Sequence, residues 1–307
     1  MKIPLRLSSG LGCALLIALL ASPSLAQIED QLSAYTGRNA TGYLQPLADA
    51  FGADLNDGLF HSAHIPVMGV NISLEFRVMA VLFGDDDRTF NAVTESGFAP
   101  EQTVPAPTVV GSGTAVIVPG AGGTQFAFPG GFSLNSFAIA VPQLRIGSFR
   151  GTQALIRYFA MDTGDVEIGN ISLFGFGLRH SISQYLAPMF PVDIAGGFFW
   201  QSFSLGENTR GSDLISTSAF SIGVQASRRF VVLEPYGGLS LDTFSMDVSY
   251  ESDALGTSES IDLDFESSTS LHLTLGLGLN FTYAKGFFEY NIAGQNSFSF
   301  GIALGNG

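Results

Sequence analysis

Cysteine is almost absent from this sequence. The only one among 307 residues is Cys13, which lies in the apolar stretch 11–21. Two basic residues precede this stretch and Ser24-Leu25-Ala26 follows it, which is typical of a secretory signal peptide and its cleavage site. We therefore expect residues 1–26 to be removed. The mature chain would then have no thiol, which excludes a disulfide framework and a thiolate metal site.

Long apolar runs and charged residues are also scarce. After the predicted signal peptide, no run of about 18 apolar residues could form a membrane-spanning helix. Charged residues make up 13% of the chain, against roughly 25% in ordinary soluble domains, whereas apolar residues make up 46%. An exported, apolar chain without such helices is typical of an outer-membrane β-barrel. A secreted β-sandwich is the alternative, with strands of about five or six residues.

Basic residues are especially few. The chain has 13 Lys and Arg against 27 Asp and Glu, a formal net charge of −14. So acidic a protein is a poor candidate for binding nucleic acid.

What the chain does contain is strict alternation, clearest in residues 271–283, LHLTLGLGLNFTY. Every odd position is apolar and every even position is polar or glycine, which indicates a strand with one apolar face. Such a strand rises roughly 43 Å, enough to cross the ~25 Å apolar band of an outer membrane at the usual tilt. We interpret it as a transmembrane β-strand.

About ten such strands follow residue 66, or about twelve if residues 84–135 contain another pair. The sequence therefore predicts an all-β fold: an antiparallel transmembrane β-barrel of about 10–12 strands over residues 67–307, with a short N-terminal amphipathic helix. Residues 84–135 form a long loop rich in Pro and Gly. Its apolar pieces 115–118 and 125–128 are too short to cross a membrane but could form a small hairpin.

The alternation also predicts how strands pair. Turning the chain around Gly151 sets Ile146 opposite Ile156 on the outer face and Arg145 opposite Arg157 on the inner face. Apolar then meets apolar and polar meets polar, as antiparallel pairing requires.

The two C-terminal hairpins give the same agreement. A two-residue loop at Lys285-Gly286 sets Leu279 opposite Ile292, and a three-residue loop at 294–296 sets Tyr290 opposite Phe300. Glycine in each loop would supply the positive φ that short hairpins need.

An even number of strands places both chain ends on the periplasmic side. Three long connections (84–135, 206–212 and 250–262) then lie outside the cell, and the tight turns at 150–151, 228–229 and 285–286 lie in the periplasm. The acidic stretch 251–266 and Asp85-Asp86-Asp87 are therefore expected at the cell surface.

Residues 27–66 differ from the barrel. Four apolar residues recur there at helical spacing: Leu44, Leu47, Phe51 and Leu55. We expect a short amphipathic helix from Gln45 to Leu55, with Pro46 in its first turn. It would be either a cap on one end of the barrel or a plug inside the lumen.

Catalysis is not expected, and no cofactor is predicted. His61 and His64 have a spacing that could hold a metal, but no third ligand is evident and a surface role is favoured. His180-Ser181 is the only adjacent His–Ser pair, and no third group orients its imidazole. His272 faces inward alone.

Three segments together resemble an uncharacterised family of exported bacterial proteins thought to be outer-membrane barrels: residues 43–63 (YLQPLADAFGADLNDGLFHSA), 144–159 (LRIGSFRGTQALIRYF) and 174–200 (FGFGLRHSISQYLAPMFPVDIAGGFFW). The resemblance implies architecture only. The expected location is the outer membrane of a Gram-negative bacterium, and the expected partners are its lipid and lipopolysaccharide and the barrel assembly machinery.

The inward-facing residues suggest a function. Many are small, and the charged ones are the lumen candidates Glu75, Arg77, Arg145, Arg157 and Glu289. Small side chains leave space that water or protein must fill, because an apolar void costs stability. Glu75 or Glu289 is expected to balance the arginines, with a bound anionic solute as the alternative. The sequence thus favours a gated or plugged pore for small solutes. The alternative is a structural barrel that anchors surface loops or partners.

Overall fold

The structure is a computed structural model. It describes residues 31–35, 37–59, 61–95, 97–162, 170–186, 191–206, 214–252 and 259–305. The predicted signal peptide lies outside these residues. None of the helices in the described part is both long enough and apolar enough to span a membrane.

Ten antiparallel strands close into one barrel, which confirms the predicted fold class. Consecutive barrel strands are neighbours, and the first closes the barrel by pairing both with the second barrel strand, which begins after residue 135, and with the last. The barrel strands are β1 (Met68–Leu82), β6 (Ser136–Phe149), β7 (Thr152–Asp162), β8 (Asn170–Ser181), β9 (Asp193–Leu205), β10 (Ile215–Ser227), β11 (Leu233–Ser252), β12 (Glu259–Asn280), β13 (Ala284–Ile292) and β14 (Ser297–Gly305).

Side chains alternate across the barrel wall as predicted. In β1, Glu75 and Arg77 are fully buried, whereas Leu74 and Phe76 are 43% and 42% exposed. In β12, His272 is buried and Leu271 is 65% exposed. The outer face is therefore a continuous apolar belt, and the polar residues point into the lumen.

The two ends of the barrel differ. One end, called the loop end, carries the connections 83–135, 206–214 and 293–296. The opposite turn end carries 150–151, 182–192, 228–232 and 281–283, together with the start of β1 and the end of β14. The predicted grouping of long and short connections agrees with this arrangement.

The register of the β6–β7 hairpin differs from the prediction. The chain turns at Arg150-Gly151, where both residues have positive φ, and a bulge between residues 147 and 149 shifts the pairing. Arg145 therefore lies opposite Leu155 rather than Arg157. The prediction that two arginines face each other across this hairpin is wrong.

The registers of both C-terminal hairpins also differ from the predicted ones. The first turns at residues 282–283, so Leu279 lies opposite Gly286 rather than Ile292. In the second hairpin, Tyr290 lies opposite Phe298. Every shift is by an even number of residues, so each side chain still faces the predicted side of the wall.

Residues 83–135 are more ordered than a long loop. They form two hairpins, β2 (Thr89–Val93) with β3 (Thr103–Pro107) and β4 (Val116–Pro119) with β5 (Gln125–Phe128). The second hairpin was predicted and the first was not. The Val109 amide donates to the Tyr43 carbonyl (2.9 Å), and the Asn39 side-chain amide donates to the Val93 carbonyl (2.7 Å). The segment is thereby fastened to the N-terminal helix.

Helix α1 spans Gly37–Asn56, so it begins earlier than predicted. Pro46 lies in its interior rather than in its first turn, where it removes one intrahelical hydrogen bond. The helix is held mainly by burial of its apolar face, which outweighs this local cost.

Strands β11 and β12 are much longer than their neighbours, with 20 and 22 residues against 9 each in β13 and β14. The described part of the predicted loop at 250–262, residues 250–252 and 259–262, is therefore strand, and residues 253–258 lie outside the described residues. Residues 251–252 and 259–266 of the acidic stretch are part of this projecting hairpin. The alternation of inward and outward side chains continues here, with Leu263 and Phe265 buried on the inner face. The sheet formed by β11 and β12 therefore extends past the neighbouring strands at the loop end.

Replacing Gly276 by alanine should destabilise the barrel by about 1–3 kcal/mol, because overpacking forces neighbours to move. A Cβ at Gly276 would lie 2.2 Å from the Tyr236 ring, which covers this glycine. Gly286→Ala is the matched control, since its Cβ would meet nothing within 4 Å. The measurement is the temperature at which the compact form seen on an unheated denaturing gel is lost. Equal temperatures for both variants would contradict the packing argument.

Candidate functional site: a barrel lumen filled by its own chain

Helix α1 closes the lumen at the loop end. The four apolar residues predicted for a plug are all buried: Leu44, Leu47, Phe51 and Leu55. The Phe51 ring centroid lies 4.6 Å from that of Phe137 and 5.4 Å from that of Phe203, which face inward from β6 and β9. An apolar layer therefore fills the upper part of the barrel.

The outer part of the helix is covered by the segment that follows β1. Tyr43 is buried there and donates to the Gly130 carbonyl (3.1 Å). Desolvation, and to a lesser degree the neighbouring Tyr35, raises the pKa of Tyr43. Its phenol therefore stays neutral at physiological pH and acts as a hydrogen-bond donor.

Below the helix the chain runs through the barrel to the turn end. We call residues 57–59 and 61–66 the lumen segment. Its contacts with the wall, from the loop end downward, join the Asp57 carbonyl to Arg157 (2.8 Å), the Ser62 carbonyl to Gln225 (2.6 Å), the Ala63 amide to the Ser227 hydroxyl (2.9 Å) and the Pro66 carbonyl to the Ser148 hydroxyl. These wall residues belong to three strands (β6, β7 and β10), so the segment lies inside the lumen.

Glu75 is the centre of a buried charge network. Its carboxylate lies 2.9 Å from Nη2 of Arg145 and 3.3 Å from Nε of Arg77. The Gln143 side chain donates to the same carboxylate (3.0 Å), and Arg77 also reaches Glu289 (3.2 Å). Glu75 and Glu289 thus supply the counter-charges for two of the lumen arginines. Such pairing is required because an unpaired buried charge is strongly destabilising.

His61 joins this network from the lumen segment. Its ring stacks on Phe287 with centroids 4.2 Å apart, and its Nε2 lies 2.7 Å from Arg145 and 3.4 Å from Glu75. The favoured surface role of His61 is therefore wrong. His64, three residues on, is exposed and lies 3.2 Å from Asp193 at the turn end.

Arg157 is bound differently, because its acceptors are amide oxygens rather than carboxylates. Its guanidinium donates to the Gln143 side chain (2.9 Å) and to the carbonyls of Asp57 (2.8 Å) and Leu55 (3.4 Å). Arg179 likewise donates to the Ser62 carbonyl. The backbone of the lumen segment and the end of the helix thus provide part of the solvation that these arginines would have in water.

His272 also connects the wall to the lumen segment. Its ring lies 2.6 Å from Asp242, 3.1 Å from Asn291 and 3.4 Å from Asp57, so it does not face inward alone. Asp57 in turn accepts from the Ser297 hydroxyl. In the described residues, no group of three or more acidic, His or Cys side chains has an arrangement suited to a metal ion.

Little open space remains. A cavity of about 40 Å³ lies between Leu59 and the inner wall, beside Ser221, Gln225, His272 and Glu289. By the usual requirement of about 10–15 Å³ per water, it can hold a few water molecules and no larger solute. Helix α1 and the lumen segment thus occupy the passage along the described residues.

Sequence reasoning identified the five charged lumen candidates but missed several of their partners. Arg179, Gln143 and Asp242 sit on inward positions of alternating strands, so the same counting could have found them. Asp57 and His61 lie in a stretch without periodicity and gave no signal. His180 does not face the lumen; it contacts Thr152 (2.8 Å) and Tyr185 (3.0 Å) near the turn end.

A closed ten-strand antiparallel barrel whose interior is occupied by its own N-terminal chain is a barrel of the plugged type. The chain belongs to a family of unknown function, DUF6588, whose model matches residues 7–306. This confirms the resemblance to an uncharacterised family. No curated protein matches the chain.

Among solved structures, the chain is similar to the β domain of the Bordetella autotransporter BrkA, with 10% identity and a TM-score of 0.33 over 76% of this chain and 99% of that one. It is also similar to the Ralstonia pickettii toluene transporter TbuX, with 8% identity and a TM-score of 0.27 over 87% and 93% of the two chains. A third similar structure is a Pseudomonas aeruginosa FadL homologue, with 6% identity and a TM-score of 0.23 over 89% of this chain and 94% of that one. These scores are too low to carry any argument about function.

Replacing Glu75 by glutamine should destabilise the barrel by about 3–5 kcal/mol, because Arg77 and Arg145 would lose a buried counter-charge. Asp49→Asn is the matched control, since Asp49 is an exposed carboxylate on helix α1. The measurement is thermal unfolding of the detergent-solubilised protein followed by circular dichroism. Similar midpoints for both variants would mean that the network does not stabilise the fold.

Proposed function

We propose that the protein is an outer-membrane β-barrel whose lumen is a pore for small solutes, closed in this state by helix α1 and the lumen segment. The observation that carries the proposal is the lumen segment itself. Together with helix α1 it occupies the barrel from the loop end to the turn end, and its backbone meets the wall through hydrogen bonds to side chains of several strands.

The wall supports this reading. Several inward positions hold small residues, among them Gly223, Gly276, Ser299, Gly301 and Ala303. At Gly276 and Gly301 the adjacent space is taken by the wall side chains Tyr236 and Phe287, so the passage depends on the other positions. A barrel that serves only as a scaffold can fill its interior with side chains from its own strands. Here the wall leaves a passage, and a separate stretch of chain occupies it. The hydrogen bonds of the lumen segment cost little to break, because water replaces them when the segment leaves. The apolar part of the cost is confined to small contacts such as Leu59 with Leu155.

The membrane location rests on the outer surface. Large apolar side chains cover the outward face, including Val70 (83% exposed) and Leu271 (65%). Contiguous apolar surface of this extent marks contact with lipid or with other proteins. Alternation along strands that close into a barrel favours lipid, because a bilayer has no partner for an open sheet edge.

The freed lumen would favour small anions. Arg157 takes two of its acceptors, the carbonyls of Leu55 and Asp57, from the chain that blocks the passage. When that chain moves, the guanidinium needs other acceptors, and an anionic solute can supply them. Arg77 and Arg145 keep their carboxylate partners on the wall, so the preference rests on Arg157 and on Arg179, which loses the Ser62 carbonyl.

A structural barrel that anchors surface loops is the second candidate. The observation that favours it is the fastening of residues 83–135 to helix α1, which makes the loop end one packed unit. In this reading the lumen segment is a permanent part of the fold.

Conductance in planar bilayers separates the two functions. The Leu59→Cys/Leu155→Cys pair joins two residues that pack together in the lumen. In the proposed pore, the mature protein shows brief openings, the oxidised pair shows none, and a reducing agent restores them. Leu155→Cys alone is the control for the substitution.

Deleting residues 31–65 should give a permanently open channel that prefers anions, and Arg157→Gln in that background should weaken the preference. A deletion of 43–57 is a weaker test, because it leaves most of the lumen segment. Circular dichroism would show that each protein is folded. If the mature protein, the reduced pair and the 31–65 deletion all show no conductance, the pore is rejected and the structural barrel remains.

Cysteine labelling on cells tests the orientation. The predicted mature chain has no cysteine, so Glu101→Cys in the loop-end segment and Val231→Cys at the turn end introduce single thiols at exposed positions. A membrane-impermeant maleimide should label Glu101→Cys on intact cells and Val231→Cys only after the outer membrane is permeabilised. The opposite result would invert the topology.

A further inference from the structure

The projecting part of β12 has a free edge. β12 pairs with β11 along most of its length, but with β13 only over Leu273–Asn280. Residues 259–272 therefore have a neighbour on one side alone, and no other backbone hydrogen bond within the described part of the chain covers the other side. An uncovered edge is a template for adding a strand, which barrels otherwise avoid.

A bulge limits the length of the free edge of β12 that could pair with another strand. The register between β11 and β12 shifts where Asp242 and Phe244 face residues 267–270. Bulges interrupt pairing along an edge. The regular part above it is 259–266, about 25 Å of strand, which suits a partner segment of about eight residues.

The two faces of this stretch differ in chemistry. Asp262, Asp264 and Glu266 are exposed on the outer face, and Asp264 lies opposite Asp247 of β11. Leu263 and Phe265 are buried on the inner face, in the same apolar cluster as helix α1. No Lys or Arg occurs between residues 251 and 266.

We propose that the edge 259–266 binds an extended basic segment of a partner protein, which adds to the sheet as an extra strand. In such a segment Lys or Arg alternates with apolar residues. The basic side chains would lie beside Asp262, Asp264 and Glu266, where opposite charges on neighbouring strands are stabilising. The backbone bonds would supply affinity and the alternating side chains specificity.

A second copy of this chain is a poor occupant. Pairing two β12 edges would bring acidic residues next to acidic residues, which is destabilising. This inference goes beyond the proposed pore and does not depend on it, because the edge lies on the projecting hairpin rather than in the lumen.

The probe is a fluorescent ten-residue peptide of alternating lysine and valine, added to the full-length protein in detergent. We expect saturable binding by fluorescence anisotropy, with slower hydrogen exchange at the amides of 259–266. The triple variant Asp262→Asn, Asp264→Asn, Glu266→Gln should bind at least tenfold more weakly. The matched control removes three exposed charges elsewhere (Asp85→Asn, Asp86→Asn, Glu101→Gln) and should bind as the original does.

The same peptide with alternate backbone nitrogens methylated keeps its charge but cannot pair as a strand. It should bind much more weakly. Equal binding of the methylated peptide, or unchanged exchange at 259–266, would reduce the effect to charge attraction and overturn the proposal. A disulfide-linked dimer formed readily by Asp264→Cys, without peptide, would instead assign the edge to a second copy. Heat-dependent migration on gels shows that each variant is folded.

Discussion

The structure depends on how buried guanidinium groups are solvated inside the barrel. Arg77, Arg145 and Arg157 face a lumen from which bulk water is excluded, and an unpaired charge there would cost several kcal/mol. Glu75 and Glu289 balance the first two. Carbonyl groups of the N-terminal chain serve Arg157. The need for oxygen acceptors therefore holds a non-strand segment in the centre of a β-fold.

Strand alternation predicted the faces of the barrel and failed to predict its registers. A shift by two residues leaves every side chain on the same side, so the outward rows of Leu, Ile and Phe in β12, β13 and β14 fit one another at several positions. The observed choice depends on turn geometry. The turn at Arg150-Gly151 was predicted, but the bulge beside it decides the position of Arg145 and has no strong sequence signature.

The lumen was predictable only where it belongs to strands. Glu75, Arg77 and Glu289 could be placed inside by counting, because each sits in a regular alternation. His61 could not, since residues 57–66 have no period and their contacts lie far away in the chain, such as Arg145, 84 residues on. The length of β12 was missed for another reason. Its acidic residues resemble a solvated loop, although alternation with Leu263 and Phe265 continues through them.

The lumen segment joins β1 at the turn end without interruption, and this connection fixes how far helix α1 can travel. The helix cannot leave through the turn end, because the chain that follows it is already built into the wall there. It can leave only at the loop end, on a tether of about ten residues between Asp57 and Met68. Fully extended, that tether spans roughly 35 Å, comparable to the height of the barrel itself. A displaced helix would remain at the loop-end rim, within reach of its binding position in the lumen. Reclosure would therefore be an intramolecular step that needs no second protein.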